Sequence, residues 1–177
     1  MLTDEQLMLD FQRGSKEAFT ELFARYREPV YGYFRRRLSD AARAEELAQE
    51  TFLAVLRAVT RYEPRAMFRT YIYRIALLQL LAERRKNTHR EASLEQTTAD
   101  SVAAGDAEGE AVVRQALEKL GRDEREILML REYEQLSYEE IAALQRVPVN
   151  TVRSRLFRAR VALKELLLSP RAIRRAV

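Results

Sequence analysis

Asn150, Thr151, Ser154, Phe157 and Arg158 are spaced so that, on a helix, they share one face, while Arg153, Arg155 and Arg160 flank an opposite apolar stripe. Those residue types in that arrangement suit DNA. Amides, hydroxyls and a guanidinium can meet base edges in a major groove, an aromatic ring can touch a thymine methyl or a sugar, and flanking guanidiniums can neutralise phosphates. A basic amphipathic helix is often no more than a solvated surface. Here, however, Gln145 to Lys164 holds six Arg or Lys and no acid, in a chain with 31 basic and 27 acidic residues. The charge asymmetry is local, and Phe157 on the polar face is not what a purely solvated helix needs.

The elements that must hold this face are legible beside it. Ser137 can cap one helix and Glu140, three residues on, closes a capping box, with Leu136 and Ile141 as the hydrophobic staple. Pro148 is a helix-entry residue. Val152, Leu156, Ala159, Leu163 and Leu166 then recur at spacings of four, three, four and three, so one stripe of the second helix packs inward. Two helices joined by a tight turn, the second basic, make a helix-turn-helix.

Composition frames the rest. The chain has 177 residues, 47% of them apolar, with five Gly and four Pro and no long alternating β-branched run, so the expectation is an all-α protein of small domains. The net charge of +4 suits a nucleic-acid partner without requiring one. Absence of cysteine excludes disulfide scaffolds and Cys-based zinc sites. No signal peptide or membrane-spanning run is visible, which gives a cytoplasmic expectation. No nucleophile motif, phosphate loop or metal-ligand cluster is present either, and the single histidine, His89, is expected at the surface, so no enzyme, metal or cofactor is expected.

Thr3 with Gln6 opens a short helix that Gly14 can end, and Ser15 caps a longer one to about Leu38, with Pro29 as a candidate bend. Phe19, Leu22, Phe23, Tyr26, Val30 and Phe34 keep helical spacing and are expected in a core. Ser39 or Asp40 caps a helix to about Thr60, Tyr62 to Ala66 is a connector, and a fourth helix runs from about Met67 to Lys86. Residues 92–111 hold five acids and no Lys or Arg, too polar to pack, and read as a flexible linker. The expected domains are therefore an N-terminal helical bundle over 1–91 and a C-terminal four-helix domain over 112–177. In the latter, Val112, Val113, Ala116, Leu117 and Leu120 mark a helix stopped at Gly121, and Asp123 with Glu126 box the start of the next.

Three segments in this order, Ala44 to Phe52, Phe68 to Ala76, and Leu136 to Ala142 followed by Thr151 to Leu156, resemble the extracytoplasmic-function (ECF) group of bacterial RNA polymerase sigma factors, over nearly the whole chain. The resemblance implies a transcription initiation factor that binds core RNA polymerase, reads the minus-thirty-five element with the C-terminal helix-turn-helix and opens the minus-ten region with the N-terminal domain. It implies that Glu45, Glu46, Gln49 and Glu50 dock on the polymerase β′ clamp helices. Without the family, Glu46 and Glu50 are an ordinary exposed i, i+4 pair. It places promoter opening at Tyr62, Arg69, Tyr71, Tyr73 and Arg74, the aromatics stacking on bases and the cations meeting backbone, with Arg84, Arg85 and Lys86 on upstream duplex. Phe68, Ile72 and Ile75 are expected to be core, leaving Tyr71 as the preferred stacking residue. Further implications are an anti-sigma factor as partner, free or membrane-bound, and a linker threading toward the polymerase cleft.

The chain departs from the family pattern at Tyr71, where Trp is frequent, at Leu78 and Ala82, where Asn and Asp are common, and at Arg146, which replaces the usual turn glycine. Leu77, Leu78, Leu80 and Leu81 point either to deeper burial or to an apolar partner surface. The alternative function is a conventional helix-turn-helix repressor or activator with a sensing or dimerising N-terminal bundle.

Overall fold

The computed structural model describes residues 2–91 and 108–168. Among the described residues the chain forms α1 (Asp4–Gln12), α2 (Lys16–Arg35), α3 (Ala41–Ala58), a single 3-10 turn (Val59–Arg61), α4 (Phe68–Glu91), α5 (Glu108–Lys119), α6 (Arg122–Glu132), α7 (Tyr138–Gln145) and α8 (Val149–Leu168), and no strand. They fall into two compact units, Met1–Ser101 and Val102–Val177. Residues 92–107 of the expected linker lie outside the description, and 108–111 belong to α5, which starts before Val112.

In the first unit local chemistry sets the helix starts. Thr3 and Gln6 form the expected capping box, the Ser15 hydroxyl accepts from Ala18 N, and Asp40 rather than Ser39 caps α3 by accepting from Ala42 N and Arg43 N. Gly14 takes a φ of +108°, a conformation that side chains resist. The core is built from Leu22, Val30, Tyr33 and Phe34 of α2, Leu47 and Val55 of α3, and Phe68, Ile72 and Leu80 of α4, with Leu7 and Met8 of α1 closing one side. Phe23, expected in that core, is 40% exposed: Phe52 meets its ring edge-on at 4.8 Å and the remainder faces solvent.

The short α1 positions both the connector and the start of α4. Gln12 Nε2 donates to the carbonyls of Val59 (2.8 Å) and Tyr62 (3.2 Å), fixing the connector, and Glu5 Oε1 accepts from Phe68 N at 2.7 Å. A carboxylate from another helix thus satisfies an orphan donor at the start of α4 and complements its dipole.

The second unit packs α8 against α5, α6 and α7 around Ile127, Leu130, Leu136, Ile141, Val152, Leu156 and Ala159. Ser137 and Glu140 form the expected box, with Leu136 and Ile141 fully buried. The box expected at Asp123 and Glu126 does not form. Gly121 is the N-cap, without a side-chain bond, because α6 begins at Arg122, which leaves Asp123 inside the first turn where its charge favours the dipole instead of capping.

Arg146 ends α7 in the left-handed region (φ 56°, ψ 46°), its N–H donating to Ala142 O. The turn is therefore kept without glycine, at a cost of about 1 kcal/mol for the side chain's crowding. Arg146→Gly is expected to raise the stability of this unit by up to about 1 kcal/mol, seen as a higher urea midpoint with unchanged slope. A lower midpoint would show that the arginine side chain contributes more than the strain costs.

Candidate nucleic-acid interface and the adjoining acidic face

Pro148 O accepts from Thr151 N (2.9 Å) and Val152 N (3.2 Å), so the chain enters α8 directly from the turn, and burial of Val152, Leu156 and Ala159 fixes how the helix is rotated. Asn150, Arg153, Ser154 and Arg158 are consequently exposed, Thr151 and Arg155 partly covered, and Phe157 is 69% exposed. The face is pre-ordered: Arg153 Nη1 donates to Asn150 Oδ1 (3.3 Å) and Ser154 Oγ to Thr151 O (3.0 Å). Arg158 has no side-chain partner among the described residues.

Arg160, exposed as expected beside the stripe, also pairs within the unit. Its Nη2 lies 2.8 Å from Glu132 Oε1 on α6, and its pKa is raised by that hydrogen bond and then by Tyr138. Part of its charge is engaged inside the unit, where the middle of α8 packs on α6. Arg160 thus links α8 to α6 while its side chain stays 48% exposed.

On α4, successive side chains turn by about 100°, and the structure separates the expected promoter-opening residues accordingly. Tyr71, Arg74 and Arg85 share one arc. Tyr71 is half-buried, its ring 5.2 Å from Tyr62 and 6.0 Å from Phe68, and burial raises its hydroxyl pKa. Tyr73 is a correction: at 3% exposure and 5.6 Å from the Tyr33 ring it belongs to the core, since it leaves α4 on the side opposite Tyr71. Tyr62 is likewise 5% exposed beneath Tyr71 and Phe68, its pKa pushed up to about 12 by burial and then by the Glu5 carboxylate. Neither ring offers a free face for a base.

Arg69 sits about 160° round the helix from Tyr71, close enough to Tyr26 for its charge to act on that phenol. Arg84 also leaves on another side and is partly covered, whereas Arg85 and Lys86 are exposed. His89 lies in α4, its side chain outside the described residues. Of the apolar residues, Leu80 is fully buried but Leu78 and Leu81 are 58% and 42% exposed.

On α3, Glu45, Glu46, Gln49 and Glu50 are all exposed. They are not an isolated row. Arg43 Nη1 reaches Glu46 (2.7 Å) and Glu50 (3.3 Å), and its Nη2 reaches Glu83 of α4 at 2.7 Å. Glu83 is only 9% exposed, and the Arg43 hydrogen bond holds its pKa below the ordinary 4.5 against the opposing effect of burial. Arg43 was not anticipated. Its spacing from Glu46 and Glu50 was visible, but its partner forty residues away was not. Glu45 and Gln49 make no side-chain hydrogen bond among the described residues, which leaves them available to a basic surface. Among the described residues no group of His, Cys, Asp and Glu could hold a metal, and no helix is long and apolar enough to cross a membrane.

Comparison with known proteins gives these faces a context. Residues 22–90 match the family model for sigma-70 region 2, and residues 110–163 that for sigma-70 region 4. The chain is 37% identical to the RNA polymerase sigma-H factor of Pseudomonas aeruginosa, over 93% of each. It is 33% identical to the ECF RNA polymerase sigma-E factor of Haemophilus influenzae, over 90% of this chain and 92% of that one. Among solved structures it is similar to CnrH in complex with the cytosolic domain of CnrY, with a TM-score of 0.70 and 25% identity over 93% of this chain and 96% of that one.

Proposed function

The chain belongs to the sigma-70 family of RNA polymerase sigma factors, in its ECF group, and on that footing we propose which of its residues carry out the family's work. As a sigma factor it binds core RNA polymerase and directs it to promoters, which sets aside the conventional repressor or activator. In our reading α8 enters the major groove at the minus-thirty-five element. Asn150, Ser154 and Arg158 meet base edges, Phe157 an apolar group, and Arg153 and Arg155 phosphates. The observation that carries this is the outward-facing surface of α8, free of acids from Val149 to Lys164 and fixed by its buried stripe.

The N-terminal domain, taken as residues 1–91, holds the minus-ten role, with Tyr71 as the stacking platform and Arg74, Arg85 and Lys86 on the backbone. Tyr62 and Tyr73 support Tyr71 and the core. The exposed row Glu45, Glu46, Gln49 and Glu50 docks on the basic surface of the β′ clamp helices. The protein contributes binding and orientation, with no reaction or cofactor of its own, and works in the cytoplasm where the polymerase is. An anti-sigma factor completes the partners.

Separate roles on α8 give the test. Arg158→Ala is expected to relax selectivity at one position of the upstream element, losing about 1–3 kcal/mol of discrimination there. Arg155→Ala is expected to weaken binding to every sequence and to reduce the salt slope by about 1. Holoenzyme binding to matched and mismatched upstream elements across a salt series measures both. Identical losses on all sequences for both variants would contradict the division.

A further inference from the structure

Within the arc of α4 that carries Tyr71, the structure exposes two large apolar side chains, Leu78 (58%) and Leu81 (42%), and Met67 (56%) is exposed immediately before the helix. Their surroundings are cationic. From Met67 to Asn87 the chain has five Arg or Lys and one carboxylate, Glu83, which is buried against Arg43. An apolar strip flanked by Arg74 and Arg85, with no exposed acid between Phe68 and Asn87, is complementary to a polyanion that also offers apolar surface, and nucleic acid is the partner of that description. Leucine cannot donate or accept a hydrogen bond, so it cannot read the polar edges of adenine, guanine or cytosine. The one apolar group on the edge of any DNA base is the thymine 5-methyl.

We infer that Leu78, exposed between Tyr71 and Arg74 on one side and Leu81 and Arg85 on the other, is a specificity-determining residue that selects thymine in the promoter DNA by contact with its methyl group. This rests on the proposed promoter role of α4 and adds to it a discriminating group and the base it prefers. Contact with one methyl group corresponds to a preference of roughly four-fold. Because Leu78 projects into solvent, replacing it removes the contact without opening the core.

The test uses full-length protein with core RNA polymerase. Promoters are first selected from random-sequence duplex DNA by open-complex formation, with wild type, Leu78→Ala and Leu78→Asn. Thymine is expected at one position in the wild-type selection, with no preference there for Leu78→Ala and a move toward adenine, the base an amide reads, for Leu78→Asn. The decisive step is a cycle on one selected promoter, with deoxyuridine replacing that thymine. Losing the methyl is expected to reduce wild-type open complex roughly four-fold and to leave Leu78→Ala unaffected, the non-additivity that marks direct contact.

Indistinguishable selections by the three proteins, a dependence on residue 78 that does not involve thymine, or equal deoxyuridine effects in wild type and Leu78→Ala would overturn the inference. The first of these is the outcome expected if the strip serves a protein partner or stacks on bases indiscriminately. Failure of wild type to open any DNA with core polymerase would instead count against the promoter role itself.

Discussion

Leu156→Ala is expected to cost the second unit about 2–5 kcal/mol and with it the upstream DNA contact. Leu156 is 1% exposed, between Val152 and Ala159 on the stripe that seats α8 against α6 and α7. Truncation removes apolar contacts and leaves a void that neighbouring helices can only partly fill. The loss is large against the stability of a unit this small. It also removes what fixes the rotation of α8, so the polar face loses its aim even in molecules that stay folded. Hydrogen exchange followed by mass spectrometry measures it. Amides of α6, α7 and α8 are expected to lose protection while those of α1 to α4 keep theirs, because the units have separate cores. Unchanged protection in α8, or equal loss in both units, would contradict the packing described.

Arg43→Ala is expected to have the second largest effect, in the first unit. Glu83 would lose its cation while staying largely covered, which costs about 1–3 kcal/mol. This is less than the about 3–5 of a fully buried pair, because the Arg43 side chain keeps 25% exposure. The pH dependence gives a sharper signature. In the wild type Glu83 has a lowered pKa, so its contribution is fully present above the ordinary 4.5 and is lost as pH falls through the lowered value. In Arg43→Ala burial, which raises the pKa, is opposed only by the weaker pull of Lys86, so the variant gains stability as pH falls through that raised value. The gap between the two proteins is therefore expected to be widest near neutral pH and to close under acid. Thermal melts across a pH series would show it, and Glu83→Gln should flatten the difference. A gap independent of pH would mean that the guanidinium acts through packing alone.

Much of the scaffold was legible because its signals are local. Thr3 with Gln6 and Ser137 with Glu140 are capping boxes complete within four residues, and the stripe of α8 states its own rotation. What escaped depends on neighbours far along the chain. Glu132 lies twenty-eight residues from Arg160 and Glu83 forty from Arg43, so neither pairing leaves a trace in local spacing. Glu5, which caps α4 from sixty-three residues away, belongs with them. The aromatics of α4 are different: a helix turning about 100° per residue already puts Tyr73 and Arg69 on the side away from Tyr71. Weighting residue type over angle grouped them, and the burial of Tyr73 against Tyr33 separates them. At Asp123 two valid signals competed, and the early end of α5 gave the cap to Gly121.

Whether this protein directs the polymerase to start sites is decided by run-off transcription with purified core RNA polymerase and this protein, freed of any co-purifying partner, on promoters drawn from a random-sequence pool. The protein is expected to co-elute with core enzyme, and discrete transcripts are expected to start at selected sequences only when it is present. A protein that binds a palindrome as a dimer, stays apart from the polymerase and adds no specific transcript would contradict that expectation.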